Sequence, residues 1–216
     1  MKKLIILLFI ITYNALSQSN FNIEKFEITD LSSEKINSVF LDNKNFFWIS
    51  TPEGLNRFDG NTNTIFKSNP FDSTTLSNNF INEIFQLDNK GTFIKSNQGL
   101  DFFSYSKNSF QRIDISSPVH HKKHEENLYV TSKNDGVYII NLENYSINNL
   151  KFDPRNPLSI SSSNFNNYQN EILLIVDDYI WIGTNYGLNK YNLKTNVNKR
   201  FYESENSNSL RSNRSE

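Results

Sequence analysis

The chain alternates short apolar runs with polar clusters at a spacing that suits strands better than helices. Apolar segments from Ile36 to Leu41, Ile81 to Leu87 and Ile172 to Val176 each run into a polar turn. The turns are Asp42-Asn43-Lys44-Asn45, Asp88-Asn89-Lys90-Gly91 and Asp177-Asp178. Asn, Asp and Gly supply the φ > 0 geometry of tight hairpins, so each cluster predicts a reversal of the chain. A second apolar run follows each turn, then Ser or Thr, then a turn of two or three residues closed by Gly. A third strand comes next, Leu55 to Phe58 or Leu188 to Tyr191. Strand, hairpin, strand, hairpin, strand is an antiparallel meander.

The meander recurs four times. The copies contain Phe47 to Asp59, Thr92 to Phe103, Tyr129 to Ile140 and Ile180 to Tyr191. Their glycines, Gly54, Gly99, Gly136 and Gly187, are spaced 45, 37 and 51 residues apart. A mean near 44 is the period of propeller blades and too long for leucine-rich or ankyrin repeats. In each turn the glycine is expected to take left-handed backbone angles. Polar connectors repeat as well, at 69–79, 153–164 and 206–213, each with one apolar anchor expected to be buried: Leu76, Ile160 and Leu210. The junction between copies two and three carries only Ser116-Ser117-Pro118, which makes copy three the degenerate one. Meanders stacked about an axis make a β-propeller. The expected fold is therefore all-β, with blades near 21–67, 80–113, 120–151 and 171–202 and a last connector at 203–216.

Composition supports this class. The chain has 216 residues with 18 Phe and 10 Tyr but a single alanine, so good helix formers are scarce. With 22 Lys+Arg against 23 Asp+Glu there is no field for a phosphate backbone, and nucleic acid is excluded as a partner. The absence of cysteine removes disulfides, thiolate metal sites and thiol nucleophiles. Residues 1–17 combine Lys2-Lys3, an apolar run from Leu4 to Ile11 and the small-x-small box Ala15-Leu16-Ser17. They read as a secretory signal peptide, which places the remainder outside the cytoplasm, periplasmic or extracellular.

Several residues invite a chemical role. Trp48 and Trp181 could stack on a sugar, but as equivalent repeat positions they fit packing between adjacent blades. His120-His121-Lys122-Lys123-His124-Glu125-Glu126 offers metal-ligand types. Two lysines inside it favour a solvated turn in an inter-blade loop, and no metal is expected. Asp42, Asp59, Asp88, Asp101 and Asp177 could suggest paired carboxylates for glycoside chemistry. Each is expected at a turn or strand end, where Asp caps backbone donors. No phosphate-loop glycine pattern occurs. Neither a catalytic centre nor a cofactor is expected, and the repeat signature of Trp48, Gly54, Gly99, Gly136, Trp181 and Gly187 is structural.

The segments Trp48 to Asp59 and Trp181 to Tyr191 resemble the two-component regulator propeller repeat, D-x-x-G-x-x-W-I-G-T-x-x-G-L-x-R-Y-D. Phe21 to Lys67, including Leu31-Ser32-Ser33, resembles the first repeat of such proteins. Asn45 stands where the first turn usually has Gly, and Phe93 replaces the second Trp. The resemblance implies an exported sensor propeller of seven blades, followed in full-length proteins by a β-sandwich, a membrane span and a histidine kinase, and acting as a homodimer. It also implies an oligosaccharide ligand, and contact with the membrane only through downstream segments. After a signal peptide about 199 residues remain, whereas seven blades need roughly 300, so an incomplete propeller is expected. The function expected is extracytoplasmic ligand sensing. The alternative is a free-standing secreted propeller that binds or scaffolds. A third reading, an exported propeller enzyme, lacks a His/Asp/Glu cluster recurring at a blade mouth.

Overall fold

The computed structural model describes residues 28, 30–165, 173–204 and 209–210. Among the described residues sixteen strands form four antiparallel sheets of four, each a meander in sequence order. Sheet one holds β1 (Ser38–Leu41), β2 (Phe47–Thr51), β3 (Gly54–Phe58) and β4 (Asn63–Phe66). Sheet two holds β5 (Ile81–Phe85), β6 (Gly91–Ser96), β7 (Leu100–Ser104) and β8 (Ser109–Ile113). Sheet three holds β9 (Pro118–His124), β10 (Asn127–Ser132), β11 (Val137–Asn141) and β12 (Ile147–Leu150). Sheet four holds β13 (Leu173–Val176), β14 (Tyr179–Thr184), β15 (Gly187–Asn192) and β16 (Asn198–Phe201). No helix occurs among the described residues.

The core is three seams between sheets, because each meander is apolar on both faces. Trp48, Leu55, Ile84, Ile94, Phe103 and Phe110 fill the seam between sheets one and two. Phe93, Phe102, Leu128, Val130 and Ile140 fill the next. Tyr129, Val137, Phe165, Ile180 and Ile182 fill the third. Each sheet thus has a forward face toward the next sheet and a backward face toward the previous one. Two faces have no neighbour among the described sheets. On the backward face of sheet one Val39 is 57% and Leu41 51% exposed, and on the forward face of sheet four Leu174 is 51% and Val176 46% exposed.

The connectors are tied to the sheets by a repeated polar latch. In sheet one, Asn56 accepts the Ser32 backbone N–H at 2.9 Å and donates to Ser32 Oγ at 2.8 Å, while Ser32 Oγ also meets Thr51 Oγ1 at 2.8 Å. In sheet four, Asn189 binds Ser161 in the same way at 2.8 Å twice, and Ser161 Oγ meets Thr184 Oγ1 at 2.9 Å. In sheet two, Asp101 takes the amide's place and accepts from the Ser77 N–H and Oγ at 2.9 and 2.8 Å. Arginines clamp the same connectors from the outer strands: Arg112 donates to the carbonyls of Asn69, Asp72, Thr75 and Leu76. Arg200 donates to those of Asn156 and Ser159. Sheet three lacks the latch. Its equivalent residue is Tyr138, and Ser132 Oγ donates to the Ser116 carbonyl instead. Leu76 and Ile160 are buried, whereas Leu210 bridges Glu203 but stays partly exposed.

Several expectations need correction. The meander has four strands rather than three: β4, β8, β12 and β16 are half-exposed outer strands whose polar composition hides them from a hydrophobic pattern. The His120 to His124 run is not a loop but strand β9, held by pairing with β10; only Glu125 and Glu126 form the turn. Asp101 stands one residue inside the start of β7 and accepts a backbone N–H, but that of Ser77 in the preceding connector rather than of its own turn, and it is fully buried as the latch. Three of the four repeat glycines do adopt positive φ, and a Cβ on Gly54 would lie 2.6 Å from the Phe66 carbonyl oxygen. Gly99 does not have positive φ; what it needs is room, since a Cβ there would meet Ser77 Oγ at 3.1 Å. Asn45 takes left-handed angles, φ 64°, where the repeat usually has Gly. The expected signal peptide at 1–17 lies outside the described residues.

Candidate functional site

The first hairpin of sheet one is organised by Asp42. Its Oδ1 accepts the N–H groups of Lys44 and Phe46, both at 2.9 Å. Its Oδ2 accepts from Trp48 Nε1 at 2.7 Å and from the Tyr105 hydroxyl at 2.6 Å. Tyr105 belongs to the β7–β8 turn, so one buried carboxylate joins two sheets. The Tyr105 hydroxyl also meets Thr92 Oγ1 at 2.7 Å and accepts from Gln86 Nε2 at 3.0 Å. Gln86 in turn bonds the Asn43 side chain at 2.8 Å. Burial together with the Asp42 contact pushes the phenol pKa well up, so Tyr105 is neutral in any ordinary buffer. The Arg57 guanidinium lies over the rings of Phe46, Phe66 and Phe103 at 4.8, 5.5 and 5.1 Å. Burial lowers its pKa, while Asp42 opposes that shift.

This anchored Tyr105 forms one wall of a cleft of about 400 Å³. The cleft opens on the side of the molecule that carries the first and third hairpins of each meander. Its floor is Phe102, 4% exposed. Lys44 projects from the β1–β2 turn, Asn89 and Lys90 from the β5–β6 turn, and Ser106 and Lys107 from the β7–β8 turn. Gln111 and Ser104 complete the sheet-two side, and Tyr145 arrives from the β11–β12 turn of sheet three. Tyr145 packs on Phe102, with ring centroids 5.2 Å apart. The tips of three sheets therefore meet around an aromatic floor, lined otherwise by lysines, amides and hydroxyls. Gly91 makes the close approach possible, since a Cβ there would lie 2.5 Å from the Phe102 ring.

The residues singled out in the sequence lie elsewhere. Trp48 is fully buried in the first seam, 5.1 Å edge-to-face from Phe103. Trp181 holds the matching register position but on the open forward face, stacked on Phe201 at 5.8 Å with Lys190 over its ring at 5.2 Å. His121 stacks on Phe85 at 3.8 Å, and its Nδ1 lies 3.8 Å from Glu83 Oε2, which Lys95 pairs with at 2.5 Å. Burial lowers the His121 pKa, partly offset by Glu83. Among the described residues no three His, Asp or Glu side chains converge as a metal site. Asp59 and Asp88 cap their own turns, accepting the Thr62 and Lys90 N–H groups at 2.7 Å each. Asp177 sits in the β13–β14 turn at φ 52°.

No protein-family model matches the chain, and no curated protein matches it significantly. Among solved structures, it is similar to the extracellular domain of the putative hybrid two component system BT3049 from B. thetaiotaomicron. The TM-score is 0.51 at 19% identity, over 84% of this chain and 25% of that one. It also aligns with the extracellular domain of the putative one component system BT4673 from the same organism. There the TM-score is 0.45 at 19% identity, over 81% of this chain and 23% of that one. The chain spans about a quarter of the length of these structures. At this identity the likeness carries the fold alone: an all-β array of four-stranded blades, as in the BT3049 extracellular domain.

Proposed function

We propose that this chain is an extracytoplasmic ligand-sensing module of a two-component signal transduction system. Its ligand, a glycan or another small molecule, binds in the Phe102 cleft, and the chain carries no catalytic chemistry. The observation that carries the reading is the cleft itself. It is concave, has an aromatic floor and a pre-organised tyrosine wall, and is built from hairpins of three different sheets. A ligand that touches Lys44, Tyr105 and Tyr145 together binds one relative setting of the three sheets better than others. Occupancy thus becomes a shift between conformations that downstream segments can read. The propeller-type fold supports this role by analogy only. In the full-length receptor, a homodimer would contact the membrane through those downstream segments.

Calorimetric titration of the secreted chain with a panel of neutral and acidic oligosaccharides tests the binding step. Saturable binding to at least one glycan is expected, and silence across the panel at millimolar concentration refutes a glycan ligand. Reading the gene downstream of the Glu216 codon tests the signalling step. An open frame continuing into further blades and a kinase is expected, and an immediate stop codon refutes it in favour of a free-standing binding protein.

A further inference from the structure

We infer that the cleft selects acidic oligosaccharides, those carrying a carboxylate or sulfate on the sugar ring. This rests on the glycan reading above and narrows it to one chemical class.

Charge is the first ground. Three lysines elsewhere are ion-paired, Lys95 with Glu83, Lys151 with Asp135 and Lys194 with Asp178; the cleft is set apart by three unpaired lysines lining one cavity. At the cleft, Lys44, Lys90 and Lys107 have no carboxylate partner among the described residues, and no carboxylate lines the cleft. The nearby acids are already engaged: Asp42 faces inward to Trp48 and Tyr105, and Asp88 caps the Lys90 N–H. Asp42 and Asp88 keep their charge, and burial together with Asp88 raises the Tyr145 pKa, but three ammonium groups against two carboxylates leave the concave, partly apolar surface net positive.

Backbone geometry is the second ground, and it is independent of charge. The third hairpins of sheets two, three and four each end in one residue at positive φ: Asn108 at 48°, Tyr145 at 59° and Asn196 at 58°. Asn tolerates that conformation well, whereas a bulky aromatic residue there is an outlier. Sheet three therefore holds a strained tyrosine at one of the two third hairpins that line the cleft, the other being the β7–β8 turn with Tyr105, Ser106 and Lys107. Strain of this kind concentrates at binding sites, where the side chain has work that a relaxed residue could not perform. Here the partly exposed Tyr145 ring, tilted 38° against the buried Phe102 beneath it, offers its own face to the apolar side of a pyranose, while the lysines meet the sugar's acidic group.

The test titrates the secreted chain with tetragalacturonate, a sulfated chondroitin disaccharide, neutral galactotetraose and inorganic sulfate. Parallel titrations use a Lys44→Gln/Lys90→Gln/Lys107→Gln variant and Tyr145→Asn, each checked for an unchanged fold by its melting curve. Exposed ion pairs are worth about two- to five-fold each, so the triple variant should bind the acidic sugars about thirty-fold more weakly. Added salt should weaken the unaltered protein toward the same level. Tyr145→Asn, which supplies the residue the other hairpins use, should weaken both acidic sugars while leaving the salt dependence in place. Equal binding of galactotetraose, untouched by the triple variant, overturns the acidic selectivity and leaves the glycan reading standing. Binding of inorganic sulfate as tight as that of the sugars overturns a sugar site in favour of a bare anion site. Binding of neither sugar class overturns the glycan reading and this inference with it.

Discussion

Trp48 and Trp181 are the same residue in the same register of two copies of one repeat, and they live in different surroundings. Both stand on the forward face of their second strand, opposite Arg57 and Lys190 on the third. Both stack on the aromatic residue that ends the fourth strand region, Phe66 at 6.0 Å and Phe201 at 5.8 Å. Sheet two closes over Trp48, so it is 0% exposed and Arg57 is desolvated, while the Trp48 indole N–H is held by Asp42 of its own hairpin. No described sheet closes over Trp181. The local meander builds the aromatic stack and covers part of the indole unaided; the neighbouring blade completes the burial.

The sharpest way to break this comparison is Trp48→Ala. Removing a fully buried indole should cost about 3–5 kcal/mol, and more if the Asp42 carboxylate is stranded. Trp181→Ala should cost less, about 2 kcal/mol, since the ring is already partly exposed. Denaturant melts of the two variants measure the difference, and equal losses would mean that sheet four is sealed in solution. Next in size is Tyr105→Phe, which removes one of the two side-chain donors to Asp42 across the first seam. A loss of about 1–2 kcal/mol is expected in the same melts, and a neutral result would mean that the carboxylate is satisfied by water.

Asp101→Asn sharpens the comparison from the latch side, because sheets one and four already use Asn56 and Asn189 there. Those amides also donate to the Ile49 and Ile182 carbonyls, at 3.1 and 3.2 Å. The matching Asp101 Oδ1 has no hydrogen-bond partner. Burial raises the Asp101 pKa, opposed by the Ser77 bonds and Arg112, so the folded state holds a proton more tightly than the unfolded chain does. Its favourable contribution is complete in acid and is lost as pH rises through the raised value. The Asn variant should therefore be about 1 kcal/mol more stable near neutrality, with the advantage vanishing in acid; a constant offset across a pH series of melts would refute this. The smallest effect is expected for Leu174→Ser on the open face, within about 0.5 kcal/mol. A larger loss would again mean that this face is covered.

What could be read in the sequence was what recurs locally. The second and third strands, the Ser/Thr and Gly of their turn, and the buried anchors Leu76 and Ile160 are each fixed by a few neighbouring residues. The fourth strands were hidden because INNL and NKRF pair through their backbones at a half-wet edge, where composition says little. The latch had a signal that could have been found: Ser follows the anchor in Leu31-Ser32, Leu76-Ser77 and Ile160-Ser161, and Asn or Asp stands two residues after the repeat glycine. The cleft had none. Lys44, Lys107 and Tyr145 come from three different copies of the repeat, and only the stacking of sheets brings their hairpins together.

The latch also bears on how such a chain can change over generations. Sheets one, two and four are each fastened to the connector that precedes them, and the serine, the buried Asn or Asp and the Ser/Thr that make the fastening lie within one stretch, from Leu76 to Asp101 or Ile160 to Asn189. A recombination breakpoint just before the anchor moves a blade together with its own fastening, and every forward face it meets accepts a backward face of the same design. Blade number can then rise or fall by whole steps without passing through a form in which a connector has lost its hold. A breakpoint between the anchor and the buried amide gives neither parent's fastening, so inherited junctions in this kind of array should fall upstream of the Leu-Ser or Ile-Ser pair.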